Sequence, residues 1–150
     1  MEFRSFEAMD VEIYKDELIR LMEIVLHDNL TQDYPANQAE AYVEKIPGYI
    51  EDGSAIVVGA IEKGKLVGFS WAYELSIFGE RRIHIDMIGV EQKFRRNGIA
   101  QRLVELQIEE AKQRGISIIE AMTTRKNENS YRWFHSMGFI DERVKVKKDI

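Results

Sequence analysis

Apolar and polar positions repeat along this chain with two different periods, and the switches between them mark out the elements. Residues 2 to 6 read as a short strand. From Val11 to about Leu30, the residues Leu18, Leu21, Met22, Val25 and Leu26 recur at the spacing of an amphipathic helix. Pro35 interrupts this pattern. A second helix is predicted from Asn37, whose side chain can cap the first turn, to just before Pro47-Gly48. β-rich runs follow at Ala55–Glu62 and Leu66–Leu75, joined by the hairpin signal Lys63-Gly64-Lys65. Phe78-Gly79-Glu80 turns the chain again, into a strand whose β-rich run is Ile83–Val90. Gly98–Arg114 carries Ile99, Ala100, Leu103, Val104, Leu106, Ile108 and Ala111 on a broad stripe that must be buried, and Gly115 stands where a helix C′ residue belongs. Ile116–Met122 reads as a strand, Asn127–Met137 as a short helix stopped by Gly138, and Phe139–Lys147 as a last strand. The order β-α-α-β-β-β-α-β-α-β predicts a mixed α/β sheet with helices on both faces. No repeat, low-complexity tract or linker interrupts it, so residues 1–150 are expected to form one domain.

Composition narrows the chemistry. The net charge of −5 weighs against nucleic acid as the main partner. The chain has no cysteine, which removes disulfides, thiolate zinc sites and cysteine nucleophiles together and suits a reducing compartment. The first residues lack an apolar signal core, and no stretch approaches the roughly 20 apolar residues of a membrane span. A cytoplasmic protein without a membrane partner is the expectation.

One junction carries specific chemistry. Between the strand ending at Val90 and the long helix lies Glu91-Gln92-Lys93-Phe94-Arg95-Arg96-Asn97-Gly98-Ile99-Ala100, a short basic loop whose small residues open the helix. The first turn of a helix presents backbone N–H groups without intrahelical partners, at the positive end of the macrodipole. Gly98 and Ala100 let a ligand approach that backbone, and the arginines add positive charge. The arrangement suits an anion such as a pyrophosphate. It is neither the Gly-x-Gly-x-x-Gly pattern nor a P-loop, and by itself it also fits a tight turn with solvated arginines. Its place at the carboxyl end of a strand feeding a parallel crossover is where open α/β sheets bind ligands.

Followed by that helix, Arg95-Arg96-Asn97-Gly98-Ile99-Ala100 resembles the acyl-CoA signature of the GCN5-related N-acetyltransferase (GNAT) family. A second segment, Asn127 to Phe139, resembles the family's later motif: an asparagine (Asn127), a small residue (Ser130), an aromatic (Phe134), then Gly138-Phe139. The order and separation of the two motifs match the family, as does the element order over nearly the whole chain. The resemblance implies a GNAT-type fold, a mixed twisted sheet of six to seven strands flanked by four helices. Its fourth and fifth strands would splay around acetyl-CoA, the donor substrate. Backbone near Ile88 and Val90 would hold the pantetheine arm and thioester. The amides of Arg95, Arg96, Asn97, Gly98, Ile99 and Ala100 would take the pyrophosphate. Asn127, with Ser130 and Phe134, would border the pantetheine; for Asn127 the alternative is helix capping.

The reaction implied is direct acetyl transfer to a primary amine, which needs a base for the amine proton. Period-2 alternation puts His84, Asp86, Ile88 and Val90 on one face, or nearly so if a bulge intervenes. His84 and Asp86 occupy the places where family members often carry a base. An aspartate in so apolar a strand is costly to bury without purpose or partner. Asp86 is therefore either the base, a carboxylate held by an arginine such as Arg82, or exposed at an edge. His84 is a second base candidate, since an imidazole ordinarily titrates near 6.5, or else a solvated strand residue. Phe134 stands where many members have an acidic tyrosine; Tyr131, one turn earlier, is the substitute, or a packed side chain. The acceptor pocket would form around the first two helices, a region rich in Asp28, Asp33, Tyr34, Glu40, Tyr42, Glu44, Tyr49, Glu51 and Asp52 opposed by Lys45. That surface suits a small cationic amine of amino-sugar, aminoglycoside or polyamine type. A protein N-terminal or lysine acetyltransferase and a non-catalytic acyl-CoA binder are the other readings. The compact C-terminal segment resembles that of small-molecule members, some of which complete the sheet through a homodimer.

Overall fold

The computed structural model describes residues 1–150 and contains one sheet of five strands. The strands are β1 (Glu2–Ser5), β2 (Ala55–Glu62), β3 (Lys65–Ile77), β4 (Glu80–Val90) and β5 (Ile119–Ala121), neighbours in that order. Strands β1 to β4 pair antiparallel, and β5 joins β4 in parallel. The parallel step requires a crossover, and α4 (Ile99–Gln113) supplies it. The remaining helices are α1 (Ala8–Ile13), α2 (Lys15–Asn29), α3 (Gln38–Glu51) and α5 (Glu128–Ser136).

Each sheet face carries its own core. Leu18, Leu21 and Met22 of α2 and Val43 and Ile46 of α3 pack with Phe69, Trp71 and Met87 on one face. On the other, Leu103, Val104 and Ala111 of α4 and Phe134 of α5 pack with Val58, Ile83, Ile85 and Val90. Gly89 lets α2 approach the sheet closely. A Cβ there would lie 2.9 Å from Phe69 Cε1 and 3.3 Å from the Leu21 carbonyl.

Four expectations about elements are corrected. The first helix is two helices meeting at Tyr14, whose ring stacks on Phe6 at 5.6 Å. It starts earlier than Val11 because Glu7 and Asp10 form a reciprocal capping box. The helix from Gln38 continues through Pro47 to Glu51, since burial of Ile46 and packing of Ile50 on the core outweigh the single N–H that proline lacks. Asn37 occupies the N-cap position there without a side-chain cap bond. Strand β5 is only three residues long. Finally, residues 139–147 form no strand, so the sheet has five strands rather than six to seven, and the helices number five rather than four. A strand needs a ladder partner and a layer to cover its apolar face. Val144 and Val146 alternate as a strand would, yet both are exposed, with no apolar layer of this chain over them.

Candidate functional site

The site is organised by β4. Its ladder with β5 runs only from Ile83–Ile119 to Ile85–Ala121, so residues from Asp86 to Val90 have no neighbouring strand on that side. On the other side the Glu91 N–H bonds the Val67 carbonyl at 2.8 Å. Alternation along an antiparallel ladder then turns the N–H and C=O of Ile88 and Val90 away from β3, toward the gap that β5 leaves. The expected backbone edge is thus present at Ile88 and Val90. The four-residue face is not. Trp71 pairs with Met87 and Ala72 with Ile85, which leaves Asp86 as the extra residue of a β-bulge. His84 and Asp86 therefore lie on the α1–α3 side, with Tyr73 and the pocket described below. Ile88 and Val90 pack on the α4 side.

At the carboxyl end of β4 the chain makes a short 3₁₀ turn, Gln92–Phe94, and enters α4 through two residues in the left-handed region, Arg96 (φ 64°) and Gly98 (φ 76°). Gly98 is the N-cap and offers no side-chain acceptor. After the Arg95 amide, which bonds the Gln92 carbonyl at 3.2 Å, the next to find a backbone acceptor is that of Arg102, which bonds the Gly98 carbonyl at 3.0 Å. The consecutive amides from Arg96 to Gln101 have no partner in the protein, which is the donor array an anionic phosphate requires. The two arginines divide the work. Arg95 Nε donates to the Val90 carbonyl at 3.0 Å, bracing the loop, while its guanidinium lies 3.9 Å from Asp28. Arg96 is exposed and has no carboxylate partner. Asn97 Nδ2 bonds the Phe94 carbonyl at 3.2 Å, and the Ile99 side chain is buried in the core.

The loop after β5 closes the opposite wall. Asn127 caps α5, its Oδ1 accepting from the Ser130 N–H at 3.1 Å, while its Nδ2 donates to Asn29 Oδ1 of α2 at 3.2 Å. Lys126 Nζ donates to the carbonyls of His27 and Leu30. Thr124 Oγ1 in this loop is buried without a partner. Free amides, an unpaired strand edge and an orphaned hydroxyl suit an elongated ligand carrying both amide and phosphate groups. Phe134 is buried against Trp133 and Phe139. Tyr131 is exposed, and its hydroxyl donates to Asp141 at 2.9 Å instead of joining His84 and Asp86.

A concavity of about 430 Å³ opens on the other side of β4, lined by Tyr42, Lys45, Tyr49, Trp71, Tyr73, Glu74 and Asp86 among others. Of the acidic residues expected around the helices, none lines it; Asp28 faces Arg95 and Glu44 faces Lys15. The pocket's carboxylates come from the sheet. Glu74 is neutralised by Arg81 at 3.0 Å and Arg114 at 3.6 Å. Asp86 has no arginine or lysine partner, for Arg82 is committed to Glu80, Glu120 and Glu142. Water reaches Asp86 through the pocket mouth, but the protein around it pushes its carboxyl above the usual range, an effect that His84 partly offsets.

The sequence reading passed over three contributors here. The Tyr73 ring lies against His84, tilted by 36° at 5.1 Å, and burial followed by the charges of Asp86 and Glu120 raises its hydroxyl above the ordinary value. Glu120 bonds His84, its Oε2 being 2.6 Å from Nδ1. Trp71 stacks with Tyr49, meets Tyr42 edge-on, and holds a buried indole N–H with no partner. Tyr73 was reachable in principle, since hairpin register places it opposite His84. No group of three or more histidine, aspartate or glutamate side chains is placed to hold a metal.

Comparisons with known proteins agree with this geometry. No curated protein matches the chain in sequence. Among solved structures, a ribosomal-protein-alanine N-acetyltransferase from Brucella melitensis biovar Abortus 2308 superposes with a TM-score of 0.73 at 20% identity, with 100% of both chains covered. The aminoglycoside N-acetyltransferase AAC(6')-Iy, in complex with CoA, gives 0.78 at 18% identity, covering 99% of this chain and 93% of its own. An aminoglycoside acetyltransferase from an uncultured soil metagenomic sample, in complex with sisomicin, gives 0.76 at 16%, covering 99% and 95%. These likenesses establish the fold. The sequence profile of the Acetyltransferase (GNAT) family matches residues 21–139, from α2 through the end of α5 and including both motifs, and the chain therefore belongs to the GNAT acetyltransferase family, whose donor is acetyl-CoA.

Proposed function

We propose that this protein transfers the acetyl group of acetyl-CoA directly to a primary amine of a small cationic molecule that also carries oxygen acceptors. One observation carries the proposal. A single strand, β4, offers an open backbone edge and free helix amides at its carboxyl end, and an unneutralised carboxylate in an aromatic pocket four residues earlier. The donor supplies an activated acyl carbon. The chain's own groups supply the rest. The amides from Arg96 to Gln101 and the exposed Arg96 bind diphosphate. An N–H on the open edge of β4 is available to the carbonyl oxygen where negative charge collects. Asp86 attracts the ammonium, and the walls of Tyr42, Tyr49 and Trp71 favour a cation through their ring faces. As the new C–N bond forms and the C–S bond breaks, a proton must leave the amine, and His84 and Asp86 stand beside that path. Tyr73, held protonated by its surroundings, is the hydroxyl nearest this pair and the candidate donor to the departing thiolate.

The unpartnered indole N–H of Trp71 separates the amine classes. A buried donor left bare costs about 1–3 kcal/mol. A protonated polyamine offers only donors, whereas a hydroxylated amine or amino sugar has an oxygen for Trp71. The test is acetyl-CoA turnover, followed with a thiol reagent, on hydroxylated amines, polyamines and peptides with free N-termini or lysines. Preference for hydroxylated amines supports the proposal. Peptides as the best substrates would replace it with protein acetylation, and CoA binding without turnover would leave a binder.

A further inference from the structure

The pair formed by His84 and Glu120 has a consequence for the proton path. His84 is buried on β4, and Glu120 is its cross-strand neighbour in the parallel ladder with β5. Glu120 Oε2 lies 2.6 Å from His84 Nδ1, and Glu120 Oε1 accepts from Arg82 Nη1 at 3.2 Å. Arg82 has further carboxylates in Glu80 and Glu142, so Glu120 is not needed to neutralise it. A carboxylate can only accept, which makes Nδ1 the donor whatever the charge of the ring. A neutral imidazole has one N–H, so with Nδ1 protonated its Nε2 is a bare acceptor. Nε2 has no partner in the protein and is not sealed from the surface, and the ring is held by Tyr73 at 5.1 Å.

We propose that Glu120 is a positioning residue for acetyl transfer: it fixes the Nδ1–H tautomer of His84 and so makes Nε2 the atom that accepts the proton from the acceptor amine. One proton moves from the ammonium nitrogen to Nε2, the freed nitrogen pair attacks the thioester carbon, and the thiolate leaves with the C–S electrons. The nitrogen, cationic once the C–N bond forms, gives up its second proton as the thiolate takes one, leaving neutral amide and thiol and one proton on Nε2. Glu120 stays ionised throughout and stabilises the doubly protonated ring that results. Asp86, on the same face, is thereby assigned to hold the ammonium. The charged and titratable groups around His84 are Tyr73 of β3, Asp86 and Arg82 of β4 and Glu120 of β5, with Tyr42, Lys45 and Tyr49 of α3 and the Arg-paired Glu74 of β3 farther along the pocket. The assignment rests on the N-acetyltransferase reading given above.

The test joins histidine-ring NMR with kinetics on the full chain. The protein has three histidines, so a His84→Asn variant assigns the signals of interest by their loss. In 15N-histidine protein above the titration range, His84 is expected as the Nδ1–H tautomer, and Glu120→Ala should shift it toward a mixture or the Nε2–H form. With the best amine, Glu120→Ala should lower kcat about 10- to 100-fold, part of what a general base contributes, with KM for acetyl-CoA within about twofold of wild type. Glu120→Gln keeps the shape and removes the charge. It should lose less, with the acidic limb of its pH profile moved to lower pH, and it decides the matter if the alanine variant does not fold. A wild-type His84 in the Nε2–H form overturns the proposal, as does wild-type kcat in Glu120→Gln. Failure of the parent reading is recognised separately, because wild type would then acetylate no amine in the panel before any variant is made.

Discussion

Replacing Gly98 with glutamate separates what the helix entrance does for the fold from what it does for the donor. Gly98 is exposed, has φ 76°, and no heavy atom lies within 4 Å of the position its Cβ would take. A side chain there meets no protein, so the cost to folding is that of placing an L-residue in the left-handed region, about 1–2 kcal/mol. Gly98→Ala should show that cost alone. In Gly98→Glu a carboxylate is added beside six amides that have no protein partner. At ~5 Å from one phosphate charge it repels by about 0.8 kcal/mol in a water-like dielectric and about 3 kcal/mol at an effective constant near 20. Two phosphate charges bring the loss to roughly 2–6 kcal/mol, and since each 1.4 kcal/mol is tenfold, CoA should bind at least about 20-fold more weakly than to Gly98→Ala. Titration calorimetry with CoA measures the affinity, and thermal melts show equal stability of the two variants. The difference should shrink as salt is raised, because the charges are exposed. If Gly98→Glu binds CoA as Gly98→Ala does, at low salt, the amides of this turn are not the pyrophosphate site.

Other perturbations follow from the same geometry. The Asp86 carboxyl is raised by burial, so the folded protein binds this proton more tightly than the unfolded chain, and stability falls as pH rises from the ordinary carboxylate range through the raised value. Asp86→Asn should therefore melt higher than wild type at pH 7, lose that advantage in acid, and turn over more slowly; a lower melting temperature at pH 7 would contradict the burial account. Trp71→Phe keeps an aromatic ring against Tyr42 and Tyr49 and deletes the N–H, so KM should rise about 5- to 10-fold for hydroxylated amines and stay level for polyamines, as read from initial rates. The free edge of β5 and the exposed Val144 and Val146 support a homodimer that pairs the C-terminal segment with a second copy. Light scattering should give twice the monomer mass, and monomer after removal of residues 143–150; a monomeric full chain across concentrations would end that idea.

Much of this molecule was legible because it is local. The helix stripe from Ile99 to Ala111, the hairpin at Lys63-Gly64 and the Gly98 entrance each depend on residues within a few positions, where backbone sterics and period decide. So does the Asn127 cap, whose bond to the Ser130 amide spans three residues. The departures lie where two distant segments meet. A bulge at Asp86 exists only in the register of β4 against β3, and it alone turns Asp86 and His84 to one side of the sheet and Ile88 and Val90 to the other.

Residue types and spacing along the chain were enough to determine the family, the glycine turn that opens α4 and the strand bearing the polar pair. Tertiary structure decided which groups stand together. It brought Glu120 from beyond the crossover helix to His84, set Tyr73 against the same ring, supplied the pocket's carboxylates from the sheet instead of the helices, and left residues 139–147 unpaired. The physical reason is range. Helix caps and turns are settled by neighbours a few bonds away. A buried carboxylate's partner, or a strand's, is chosen by whichever surface the rest of the chain has left uncovered.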